Sequence, residues 1–131
     1  MAAVKNDRGG KGSSEVILDL YSNLLAEIWQ LVSALIGEAI LAYYFTLAIR
    51  KIGAKHPFLN SLKVSDDGVS IEQVRQDYRT LSATEIHRGF QGLINHLTQL
   101  FSALAEGVIN KELFPKVFPK FKEAERMISQ K

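Results

Sequence analysis

The chain has 131 residues, 47% of them hydrophobic and 23% charged, with a net charge of +2 and no cysteine. That is enough for one domain with a real core and too apolar for a disordered chain. Lacking cysteine, it has no disulfide, thiolate metal ligand or cysteine nucleophile, which fits the reducing cytoplasm where we place it.

The basic excess lies at the two ends. Residues 1–13 carry Lys5, Arg8 and Lys11 against Asp7, and residues 111–131 carry five Lys and one Arg against three Glu. Charge this sparse does not make the clustered stripe that nucleic acid needs, so no nucleic-acid partner is expected. The glycines and serines between Gly9 and Ser14 offer nothing to bury, so residues 1–13 read as a flexible basic tail. They also lack the apolar centre of a secretory signal. Residues 14–131 read as a single helical-bundle domain.

From Ser14 to about Ile52 the period is helical. Ile17, Tyr21, Leu24, Ile28, Leu31, Leu35, Glu38, Ala42, Phe45, Ile49 and Ile52 follow one another at spacings of four and three. Such a seam buries one line of a helix against a partner. Gly37 is a place to bend or break it, and Lys51 with Gly53 marks its end. Unbroken, the helix would be roughly 55–60 Å long, which suits an elongated, dimeric bundle better than a compact one. The expectation is one long helix or a helix pair. Its core and interface residues are Ile17, Tyr21, Leu24, Ile28, Leu31, Leu35, Glu38 and Phe45. More apolar surface lies along this line than one companion helix can cover, and a homodimer follows.

Residues 31–49 hold one charge, Glu38, and are followed by Arg50 and Lys51. Length alone would allow a membrane span. A mid-depth carboxylate, and a seam that runs unchanged from the polar segment before it, favour a buried core helix. Glu38 itself reads as a register-fixing polar residue or the wet end of the bundle, more than as a buried acid. Ser33, Ala34 and Gly37 beside it would let another helix come close. Trp29, Tyr43, Tyr44 and Phe45 read as aromatic core or dimer interface.

The connector, residues 61–71, has Pro57 before it and Ser65-Asp66-Asp67-Gly68 at its centre. A β-hairpin and a plain loop fit it equally. Ser70 with Gln73 forms a capping box for a short helix over about 71–80, and Ser82 with Glu85 forms another for a helix running to about Asn110. Phe90, Leu93, Leu97, Leu100 and Leu104 make the stripe of that second helix, widened by Ile94, Phe101 and Val108. Then Leu113-Phe114-Pro115-Lys116 is echoed by Val117-Phe118-Pro119-Lys120. Two prolines four apart are expected to bar a regular helix there, leaving a short one over about 120–129. The fold expected is all-α, a small bundle of about four helices.

His87 stands in Glu85-Ile86-His87-Arg88-Gly89-Phe90-Gln91, about one turn into its helix. Over about a dozen residues this segment resembles the phosphoacceptor helix of sensor histidine kinases and histidine phosphotransfer modules. The resemblance implies an exposed His87 as phosphoacceptor, with Gly89, Gly92 and Arg88 making room for a partner. Phe90-Gln91-Gly92 stands where those modules carry a lysine-glycine pair, and this chain has no ATP-binding domain. His87 and His96 are nine residues apart, which puts them on opposite helix faces, and no Glu-x-x-His occurs. No metal and no cofactor are expected. Nor does any sheet or nucleophile-elbow glycine pattern carry a hydrolase site.

Strong helical seams without a catalytic constellation point to a non-enzymatic helical dimerisation or protein-interaction module, an adaptor or input domain in a signalling or regulatory assembly. The alternatives are phosphotransfer through His87 and a membrane-associated subunit inserting residues 31–49.

Overall fold

The computed structural model describes residues 13–77, 81–104 and 108–129 of the chain. Five α-helices follow in order among them: α1 (Ser13–Ile36), α2 (Glu38–Ile52), α3 (Glu72–Asp77), α4 (Ala83–Phe101) and α5 (Val108–Ser129). A 3₁₀ turn (Pro57–Ser61) and a hairpin of β1 (Lys63–Ser65) and β2 (Gly68–Ser70) join α2 to α3. The fold is the expected all-α bundle, with the hairpin present. Apart from Ser13, which opens α1, the expected basic tail lies outside the described residues.

α1 is the central helix, covered by α2, α4 and α5. Its first six turns bury Ile17, Leu18, Tyr21, Leu24, Leu25, Ile28, Trp29 and Val32. Each fully buried Leu or Ile contributes about 1.5–3 kcal/mol over its exposed state, so this stripe is a large contribution to the stability of the fold. The partners come from the same chain, and the premise that α1 needs a second copy does not hold for these turns.

The helix stops at Gly37, which adopts φ 93° and ψ 154°. A side chain meets steric strain at that φ, so the position suits glycine. The seam resumes after the break, keeping Phe45 and Ile49 and adding Leu41 and Ala48. α2 buries Leu41, Phe45, Ala48 and Ile49, while Leu31 is half-buried and Leu35 and Glu38 are exposed. Of the two expected forms the helix pair is present, broken at the expected Gly37, so residues 31–49 are parts of two helices, and the expected core is corrected at Leu35 and Glu38. Among the described residues no helix is long and apolar enough to cross a membrane.

The hairpin pairs Lys63 with Ser70, Val64 with Val69 and Ser65 with Gly68. It lies against α1, and a Cβ on Gly68 would come within 4.0 Å of the Trp29 ring. α3 forms where expected and is started by the Ser70 hydroxyl, which accepts from the Glu72 N–H at 3.3 Å in place of Gln73. Residues 78–80, the rest of that expected helix, lie outside the described residues. Arg75 of α3 pairs with Asp19 of α1 at 2.8 Å, a half-exposed bridge worth little.

Both bonds of the Ser82–Glu85 capping box form, at 3.1 and 3.0 Å. α4 ends nine residues earlier than expected, at Phe101, where Leu104 N–H closes a tight turn on the Phe101 carbonyl. α5 then runs without interruption through Pro115 and Pro119, against expectation. The reason is where the prolines point. They fall with Lys111 on the exposed side of α5, so water can take the carbonyls that they leave without a donor. On the other side Ile109, Leu113, Val117, Phe121 and Ala124 are buried and offset the cost of the missing hydrogen bonds.

Candidate functional site

Two features depart from an ordinary apolar bundle. The first is a polar cluster inside it. Tyr21 belongs to the α1 seam, and His87 belongs to a seam on α4 whose members His87, Phe90, Ile94, Leu97 and Phe101 are spaced by three and four. Both are therefore driven inward, and their polar atoms meet: Tyr21 Oη lies 2.7 Å from His87 Nδ1. His87 is only 6% exposed, and Tyr21 is fully buried. The ring of Tyr21 stacks on Phe90 at 5.2 Å.

A buried phenol needs an acceptor, so Tyr21 O–H donates to Nδ1 and the imidazole proton is assigned to Nε2. Nε2 faces Glu125 Oε2 of α5 at 3.8 Å, an electrostatic approach too long for a hydrogen bond. Burial holds the His87 pKa below its ordinary value, with Glu125 pulling it back up and Arg88 pushing it down. Burial, and then the Glu125 charge, raise the Tyr21 phenol well above the usual tyrosine range. Neutral tyrosine and neutral imidazole are thus the stable pair near pH 7.

Beside the ring a shallow cleft of about 300 Å³ is lined by Thr84, His87, Arg88, Gln91, Glu125 and Ser129, with Ile128. Chemically the cluster can hold a proton between two ring systems and tie α1, α4 and α5 together. His87 does not stand on an exposed face, so the accessible ring that phosphotransfer requires is missing. The glycines expected to make room for a partner are used inside the chain. A Cβ on Gly89 would lie 2.5 Å from Phe58 Cζ, and one on Gly92 would lie 3.4 Å from Ile52 Cγ2. Arg88 alone of those residues is exposed.

The second feature is apolar surface. Ile17, Tyr21, Leu24, Ile28 and Phe45, of the residues expected at the core or interface, are buried. Leu31 is half-buried, Leu35 is 50% exposed and Glu38 is exposed at the first turn of α2, where its charge suits the helix N-terminus. Ile40 and Tyr43 on the outer side of α2 are 51% and 61% exposed. Among the described residues nothing lies within 4 Å of where a Gly37 Cβ would be, so the corner is open. The aromatic group is divided accordingly. Trp29 packs on Phe45 at 5.7 Å in the core, Tyr44 meets Phe101 edge-on at 6.2 Å, and Tyr43 remains outside.

Sequence reasoning places Tyr21 in the core but misses its bond to His87, and it misses Glu125 altogether. The three-and-four spacing from His87 to Phe101 is the available signal. His56 is half-buried ahead of Pro57, and His96 is half-buried on α4. Among the described residues no group of three or more His, Cys, Asp or Glu gathers as a metal site. Compared with protein-family models, with curated proteins and with solved structures, the chain matches none.

Proposed function

We propose that the protein is a helical protein-interaction module without chemistry of its own, and that it docks through the outer face of α2 and the corner at Gly37. One observation carries this reading. Leu35 near the end of α1 and Ile40 and Tyr43 near the start of α2 are each at least half exposed, on the two sides of the Gly37 corner, while Ile17, Tyr21, Leu24 and Ile28 earlier in α1 are sealed. Contiguous apolar surface of this kind marks a binding site more often than an accident of folding. Tyrosine is also enriched at such sites, since its ring buries much area at little entropic cost. The polar cluster at His87 supports the reading indirectly, because it joins three helices and its Tyr21 and His87 rings are buried against each other. An adaptor or input domain of a regulatory assembly would be built in this way.

The test separates docking from folding. Tyr43→Glu and Ile40→Glu change exposed residues and should leave the thermal midpoint close to that of the wild type. In extracts of expressing cells the wild-type chain should elute as part of an assembly larger than 14.6 kDa, and both variants should fall back to the size of the free chain. Wild type and variants eluting alike would end the proposal.

A further inference from the structure

We propose that the occupant of the α2 outer face is a second copy of this chain, lying with its own α2 antiparallel to the first. The inference rests on the reading of that face as a docking surface. Its starting point is the pattern Ile40, Tyr43, Leu47 and Arg50, spaced by three, four and three. On a helix of 3.6 residues per turn these four form one line. Leu47 is half-buried and the other three are exposed. The line is opposite the one through Leu41, Phe45, Ala48 and Ile49, which faces the core. α2 therefore has two seams, and among the described residues only the second is sealed.

A two-fold interface must be complementary to itself. The middle of α2 (Glu38–Ile52) is residue 45, so a two-fold axis there sets residue 43 of one copy against 47 of the other, and 40 against 50. Tyr43 then falls on Leu47, an aromatic ring on a branched aliphatic side chain, and the pair occurs twice about the axis. Ile40 falls beneath the aliphatic stem of Arg50, whose charged head can stay in water. The ends agree as well. α2 is basic in its last turn, at Arg50 on the outer line and Lys51 beside it, while Glu38 of its first turn lies on the side of Phe45, away from that line. An antiparallel copy keeps the two Arg50 side chains at opposite ends of the interface, and the helix dipoles oppose. A parallel copy would set Tyr43 on Tyr43 and Leu47 on Leu47, which apolar packing alone permits. It would also face Arg50 with Arg50, set Lys51 near Lys51 at the flank, and align the two dipoles. Like charges set side by side disfavour that arrangement. Charge, rather than shape, chooses the antiparallel one.

The chain has no cysteine, so an introduced one reports its own position. Purified Tyr43→Cys chains are mixed with purified Leu47→Cys chains and oxidised gently, and the mass of the untagged wild type is followed by light scattering up to several hundred micromolar. The wild type is expected to reach twice the 14.6 kDa of the chain. The mixture is expected to give the 43–47 disulfide well beyond its share under random pairing with 43–43 and 47–47. Tyr43→Glu should abolish the doubling while its melting curve shows an intact fold. A dimer that links 43 to 43 and 47 to 47 in preference overturns the antiparallel arrangement. A purified wild type that stays monomeric overturns the second copy as occupant. In that case the docking reading survives if the assembly in extracts still depends on Tyr43, and fails with it if that does not.

Discussion

The first six turns of α1 and the corner around Gly37 share one hydrophobic rhythm and have opposite fates. From Ile17 to Val32 the apolar positions are sealed by α2, α4 and α5. Around the corner Leu35, Ile40 and Tyr43 meet solvent, because Gly37 ends α1 and α2 turns Leu41, Phe45, Ala48 and Ile49 to the core instead. The difference teaches that a periodic seam states which residues share a face. It does not state whether the partner is in the same chain, in another, or absent.

The strongest way to break this comparison is to truncate the same residue type in both regions. Leu24→Ala, fully buried, should cost about 2–5 kcal/mol in urea unfolding of the wild-type and variant chains. Equal costs at Leu24 and Leu35 would mean that the corner is packed after all. Next in size, Gly37→Ala should cost about 1–2 kcal/mol, since alanine at a positive φ of 93° is strained. Where the chain escapes the strain by joining α1 to α2, amide exchange will show protection through residue 37 and the outer face of α2 will be re-aimed.

The polar cluster sharpens the sealed side. Tyr21→Phe keeps the ring stacking on Phe90 and removes the hydroxyl that satisfies His87 Nδ1. A loss of about 1 kcal/mol is expected from chemical denaturation at pH 7. A gentler effect should appear on acidification. Burial lowers the folded-state pKa of His87 from 6.5, so just below that pH the unfolded imidazole binds protons more readily than the folded one. Stability should therefore be complete above about pH 6.5 and fall as pH drops toward the lowered pKa. Glu125 softens the fall and Arg88 steepens it. His87→Gln, which does not titrate, should flatten this part of the curve, and an unchanged slope would remove His87 from the account. Smallest of all, Leu35→Ala should stay within about 0.5 kcal/mol of the wild type.

What is legible in the sequence is mostly local. Ser82 and Glu85 are three residues apart, and their reciprocal bonds need no other part of the chain. The turn at Asp66-Asp67-Gly68 is equally self-contained. The prolines mislead because proline forbids a hydrogen bond at one atom, and whether that matters depends on what else can reach the freed carbonyl. Pro115 and Pro119 face water, which the spacing of the motif does not say. The end of α4 at Phe101 escapes notice because no proline or glycine stands there to announce it. At the site, the seam positions of Tyr21 and His87 are both readable, but their meeting is a contact between residues 66 apart.

By itself the sequence determined that α1, α2 and α4 are helical, where α1 and α4 begin and which of their residues are apolar on one side. These are set by backbone hydrogen bonding and side-chain period within a few residues. Tertiary structure alone decided that α1 is covered from within, that Glu125 approaches His87, and that Leu35, Ile40 and Tyr43 are left outside. Those outcomes depend on the angle at which the chain leaves Gly37, and a small rotation at one residue moves every side chain beyond it to a new neighbour.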